Sequence, residues 1–209
     1  MRSFTLSIFA TLAFAVFSYA APMFAGPSPV DAIAARHEGE HTKDTSLEVV
    51  LTTAIELITP ITAELGCIKA ENATVEVIAP IVAKLKIAIG DVICDVKALA
   101  SLPLERILCT LVGGVLDAVA IAKLLACLLN LVFGACASIL AVVAVSVKAQ
   151  IIPILVEVGC LVGSLLCAVL GLANGLIFDI IKCLLPQIVG CLEVIKMLDI
   201  RIIIAVLRL

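Results

Sequence analysis

His37-Glu38-Gly39-Glu40-His41 matches the H-E-x-x-H pattern, in which two histidines one helical turn apart hold zinc and the glutamate activates a metal-bound water. The surroundings argue against that chemistry. Gly39 weakens the helix that would present the ligands. The motif follows closely on an apolar leader, and it holds both histidines of the chain. A solvated polar run is the better reading of His37, Glu38 and His41, so no metal site is assigned. Nine cysteines follow: Cys67, Cys94, Cys109, Cys127, Cys136, Cys160, Cys167, Cys183 and Cys191. They lack a C-x-x-C pair and a nearby histidine, which excludes an ordinary zinc site. In an exported chain they are candidates for disulfides between neighbouring helices, with one left over because nine is odd. Some could equally be small buried apolar residues. Asn72-Ala73-Thr74 is an N-glycosylation sequon in an expected turn. Asp91 and Asp95 read as a solvated helix face. With both histidines in the lead segment no Ser-His-Asp set can form, and no glycine loop cradles phosphate. The sequence implies no enzyme and no cofactor.

The elements that carry these residues are overwhelmingly apolar. Hydrophobic residues make up 63% of the 209, mean hydropathy is +1.28, and only 15% are charged. Such a chain either enters a membrane or buries its helices on nearly all sides and masks the rest by association. The net charge of −3 with scattered basic residues excludes nucleic acid as a partner. Ala21–Thr110 holds twelve acidic and seven basic residues, and Leu111–Leu209 five and six. The chain is therefore amphipathic end to end.

Met1–Ala20 has the marks of a secretory signal peptide: Arg2, an apolar core over Phe4–Phe17, and a small-x-small site at Ser18-Tyr19-Ala20. The alternative is an uncleaved anchor helix. Residues 21–44 form a polar lead segment. Residues 45–209 are expected to be one helical domain, amphipathic over 45–110 and strongly apolar over 111–209. Thr45-Ser46-Leu47-Glu48 is a capping-box signature. Leu47, Val50, Leu51, Ala54, Ile55, Ile58, Ile61 and Leu65 then recur at helical spacing, as do Ile78, Ile81, Val82, Leu85, Ile89, Val92, Ile93 and Val96. Pro60 should kink or divide the first of these helices. Ser101-Leu102-Pro103 starts a third region, and Gly113-Gly114 should break it. Two uncharged runs follow, Leu124–Val147 and Val158–Phe178, each with about the 20 apolar residues that span a bilayer. The intervening Lys148, Gln150, Pro153 and Glu157 suggest their link. Gly159, Gly163, Cys167, Gly171 and Gly175 form a ridge of small residues at four-residue spacing, suited to close helix pairing in lipid or in a soluble bundle. No Trp or Tyr follows Ala20, so an interfacial aromatic belt is lacking. Ile202–Leu207 is the best, though weak, strand candidate. The expected fold is all-α: four or five helices in antiparallel hairpins, bundled, with a hydrophobic C-terminal half.

This layout resembles the small secreted proteins of mushroom-forming fungi that pair a hydrophilic N-terminal half with a hydrophobic C-terminal half. The stretches that carry it are LTTAIELITPITAEL, ENATVEVIAPIVAKLK, SLPLERIL and VLDAVAIAKLLA, and it spans roughly Thr45 to Leu209. Hydrophobins are different, since they carry paired adjacent cysteines and this chain has none. The resemblance implies a role in aerial hyphae and attachment. Together with the residue reading, it gives the expectation of an exported, non-enzymatic structural protein. Such a protein would self-associate and coat a wall or other hydrophobic surface, with lipid as a further candidate. The alternative is an integral membrane protein with a helical hairpin at 124–147 and 158–178.

Overall fold

The computed structural model describes residues 46–110 and 112–208. The expected signal peptide, the lead segment, His37, Glu38 and His41 lie outside the described residues. Four long helices dominate: α1 (Leu47–Gly66), α2 (Val75–Leu99), α4 (Ala118–Val142) and α5 (Val145–Leu172). Short helices complete the chain: α3 (Leu104–Ile107), α6 (Ile177–Leu184), α7 (Val189–Met197) and α8 (Arg201–Leu207). The protein is an all-α bundle, and no β-strand is found among the described residues. An isolated antiparallel bridge, Cys109 to Val115, closes the loop between α3 and α4. Ile202–Leu207, read as a possible strand, lies in α8.

The helical stripes of the first half are the buried faces. Leu47, Val50, Leu51, Ala54, Ile58 and Leu65 of α1 are buried, and so are Ile78 through Val96 of the α2 stripe. Pro60 does not divide α1. The hydroxyl of Thr59 donates to the Ile55 carbonyl, and that of Thr62 to the Ile58 and Thr59 carbonyls, so side chains bond backbone oxygens around the proline. Ser46 takes the N-cap position of α1, but its hydroxyl turns inward and makes no hydrogen bond, so it does not cap the helix.

Two hairpins build the ring. α1 packs against α2 and α4, and α2 packs against α5. α4 and α5 touch one another only lightly, although two residues join them. The C-terminal tract fills the seam between them: α6 and α7 lie on α4, and α8 lies on α5. One continuous aliphatic core results, with Phe133 its only aromatic member. Ser46 and Thr62 are the only polar residues buried in it among the described residues.

Two expected boundaries need correction. The link between the apolar helices is Val143–Ala144, not the stretch from Lys148 to Glu157. Lys148, Gln150, Pro153 and Glu157 lie inside α5, where Pro153, Glu157 and Gln150 face outward. Val143 and Ala144 both adopt extended ψ values, 133° and 149°, which end one helix and begin the next without glycine or proline. The second apolar run also does not continue to Phe178. α5 ends at Leu172, and a single 3-10 turn at Asn174–Leu176 precedes α6.

α4 owes its start to Asp117, whose carboxylate accepts a hydrogen bond from the Ala120 N–H at 2.7 Å. Asp117→Ala should cost about 1 kcal/mol of stability in urea denaturation, the ordinary worth of an N-cap.

Candidate functional site

The surface of the two most apolar helices is the feature that bears on function. On α4 the exposed positions are Val119, Lys123, Cys127, Asn130, Gly134, Ser138 and Ala141. From Lys123 onward they advance by three or four residues and trace one narrow strip. On α5 the corresponding strip is Pro153, Glu157, Cys160, Ser164, Cys167 and Gly171. Beyond Lys123 and Gln150 respectively, every Leu, Ile, Val and Phe on these helices except Ile152 is buried or half-buried. Thus the least apolar side chains face outward and the aliphatic ones face the core. The serines need no outside partner: Ser138 donates to the Gly134 carbonyl and Ser164 to the Cys160 carbonyl, each at 3.0 Å.

The small-residue ridge divides in two. Gly159 and Gly163 are buried under α8. A Cβ on Gly159 would lie 2.1 Å from Cδ1 of Ile200, and one on Gly163 2.1 Å from Cγ2 of Ile202. These two glycines admit the C-terminal helix. Cys167 and Gly171 are exposed, and a Cβ on Gly171 or Gly175 would meet nothing within 4 Å. Gly175 lies beyond α5 in the 3-10 turn.

All nine cysteines are free, so the disulfides expected between neighbouring helices are not formed. Most of them are on the outside. Cys94, Cys127, Cys160 and Cys167 point outward from helix surfaces, and Cys67 and Cys109 are exposed at helix ends and loops. Cys136 and Cys191 are the buried ones, and Cys183 is intermediate. The Cys191 thiol donates to Oδ1 of Asn130 at 2.9 Å, while Nδ2 of Asn130 donates to the Gln187 carbonyl at 3.1 Å. This pair of bonds ties the C-terminal tract to α4. Burial pushes the Cys136 thiol up to about 12, with the neighbouring Cys191 adding to the effect. Burial also raises Cys191.

Asn72 sits on an exposed turn between α1 and α2, as the sequon requires. Its Oδ1 accepts from the Lys69 N–H at 2.8 Å, which leaves Nδ2, the atom a glycan joins, outside the turn's bonding. Thr74 is the N-cap of α2, and the Glu76 backbone N–H, followed by the Thr74 hydroxyl, holds the Glu76 carboxyl below its ordinary value. Surface ion pairs are few: Lys84 with Glu64 at 3.5 Å, Lys86 with Glu157, and Arg201 with Asp199 at 3.1 Å. Each is solvent-exposed and worth little. Among the described residues no three His, Cys, Asp or Glu side chains converge as metal ligands.

Among the described residues three helices, α1, α4 and α5, are long and apolar enough to cross a membrane by length and composition. Comparison with protein-family models, with curated proteins and with solved structures returns no match for this chain.

The split ridge gives a paired expectation. Gly163→Ala must displace Ile202 and should cost about 1–3 kcal/mol in urea denaturation. Gly171→Ala meets open space and should be neutral or stabilising by about 0.5–1 kcal/mol. The thiols give another. In native protein a thiol reagent should label Cys94, Cys127, Cys160 and Cys167, and should reach Cys136 only on unfolding. Because the raised pKa favours the protonated folded form, the stability from the Cys136 thiol is complete below its ordinary value of 9.0 and is lost as pH rises toward about 12. A fall in the urea midpoint above pH 9 that is smaller in Cys136→Ala checks the sign, the remainder coming from Cys191.

Proposed function

We propose that the chain is an exported, non-enzymatic, surface-active protein that self-associates on a hydrophobic face of the cell wall or hypha and coats it. The observation that carries this reading is the pair of outward strips on α4 and α5. A helix facing lipid presents its large aliphatic side chains outward, because lipid tails are as apolar as leucine. Here the outward strips are Lys123, Cys127, Asn130, Gly134 and Ser138 on one helix and Glu157, Cys160, Ser164 and Cys167 on the other. That pattern suits helices that meet water.

Such a bundle stores apolar area inside while it travels. The core is aliphatic, with almost no polar contact to specify its partners. An apolar phase can replace those contacts at little cost, since hydrophobic burial is non-directional and worth about 25 cal/mol per Å2 wherever it occurs. Spreading of the helices on the surface would then bury the core against that phase and leave the acidic face of α1 and the mixed-charge face of α2 in water. The signal-peptide pattern at Met1–Ala20 and the resemblance to secreted fungal surface proteins support the same route.

The second reading is an integral membrane hairpin of α4 and α5, favoured by the length and composition of those helices. Fractionation of producing cells separates the two. The coat reading expects mature chain in the medium and wall, with carbonate-washed membranes empty. Retention in washed membranes, with release only by detergent, overturns it in favour of the hairpin.

A further inference from the structure

Resting on the coat reading above, we infer that the bundle meets the apolar phase end-on. The contact is the end where α4 begins, and the occupant is an uncharged hydrocarbon surface. The loop between α3 and α4 is built to hold apolar side chains out. Gly113 takes φ +81°, a conformation suited to glycine. The Thr110 N–H donates to the Gly114 carbonyl at 2.9 Å, the Gly113 N–H to the Thr110 carbonyl at 3.0 Å, and the Gly114 N–H to Oγ1 of Thr110 at 2.8 Å. At its base the Leu116 N–H donates to the Leu108 carbonyl, and both leucines are buried. On this fixed turn Val112 is 95% and Val115 79% exposed. Two exposed valines held on one hydrogen-bonded turn begin an apolar patch, and it is a contiguous patch rather than a lone residue that marks a contact.

Other exposed apolar side chains gather at the same end. Leu104 precedes the loop and Val119 follows it. The α4–α5 hairpin returns the chain to this end at Leu172, and α6 then starts along α4. The Asn130–Gln187 bond fixes its direction, since it brings the end of this segment to the middle of α4. Phe178 therefore lies near the start of α4, 75% exposed, with the Arg208 guanidinium 5.6 Å from its ring centre. The opposite end holds the Lys69–Asn72 turn, with Lys69, Glu71 and Asn72 all exposed, and the α4–α5 link, where Val145 is the prominent apolar residue. A glycan on Asn72 would sit at that far end, in water.

Two points identify the occupant. The charges at the loop end, Glu48, Asp95, Glu105, Asp117 and Asp179 against Lys97, Arg106, Lys123 and Arg208, leave no net positive charge. They give no attraction to an anionic headgroup layer. The exposed apolar set is five side chains, far short of the roughly 20–30 residues a side that a stable protein interface uses. A small apolar tip without net positive charge suits contact with hydrocarbon rather than with anionic headgroups.

The test is adsorption of the full mature protein to an alkyl-coated sensor, followed by mass uptake. Val112→Asp with Val115→Asp alters only exposed loop positions, so the helical spectrum and urea midpoint should match wild type. The comparison pair, Leu57→Asp with Ile87→Asp, alters exposed apolar positions on the flanks of α1 and α2. The expected result is a fall of about tenfold or more in initial adsorption rate for the loop pair, with less than about twofold for the flank pair. Wild-type rate in the loop pair, or an equal fall in the flank pair, overturns end-on contact while leaving the coat reading standing. Failure of the wild type to adsorb at all overturns the coat reading itself.

Discussion

The bundle depends on burying α4 and α5 on nearly every side. Each helix carries aliphatic residues around most of its circumference and keeps a strip about one residue wide for solvent. A single neighbour cannot cover that much surface, because one helix contact shields only part of a cylinder. Three sets of walls do so. α1 covers α4, and α2 covers α5. The C-terminal tract closes the seam that α4 and α5 leave between themselves. Gly159 and Gly163 follow from the same constraint, since α8 reaches α5 only where side chains are missing. The bonds from Cys191 and Asn130 then fix where the tract crosses α4.

The first half of this architecture was legible in the sequence, and the reason is contrast. In α1 glutamates and threonines, and in α2 acidic and basic residues, interrupt the apolar stripe, so periodicity marks the buried face, and the stripes from Leu47 to Leu65 and from Ile78 to Val96 are buried accordingly. In α4 and α5 the contrast fades. Charge was the remaining signal for a boundary, and it pointed to Lys148 and Glu157, which are merely the wet side of α5 near its start. The true break at Val143–Ala144 carries no proline, glycine or charge, and its cause is tertiary: α4 and α5 must diverge to admit the C-terminal tract. The exposed strips had a signal that could have been found. Cys127, Asn130, Gly134 and Ser138, like Cys160, Ser164 and Cys167, repeat at helical spacing among aliphatics.

The small-residue ridge carries a related lesson. Its regular spacing implied one continuous packing surface from Gly159 to Gly175. Packing uses only the first two positions, because α8 is seven residues long and crosses α5 there. Cys167 and Gly171 stay in the outward strip. The cysteines divide in the same way: sequence alone cannot say which side of an all-apolar helix is outside, so it cannot separate Cys136, deep in the core, from Cys127 one strip away.

A closed bundle and an affinity for apolar surfaces are compatible because of what the core lacks. Thr62 is the one buried hydroxyl whose bonds are met, and those bonds are local to α1, so they survive separation of the helices. Phe133 packs among aliphatic residues. The exposed ion pairs contribute little. What holds the helices to one another is therefore almost entirely the removal of aliphatic surface from water, and a hydrocarbon face removes the same surface equally well. The helices themselves do not depend on their partners for backbone hydrogen bonds, so opening the bundle leaves no buried donor or acceptor unpaired. On the proposed coat reading the loop at Gly113 would enter this exchange first, because it exposes apolar side chains before any helix has moved. The barrier to such spreading would then lie in the C-terminal tract, whose wedge at Gly159 and Gly163 would have to leave α5 before the helices could spread.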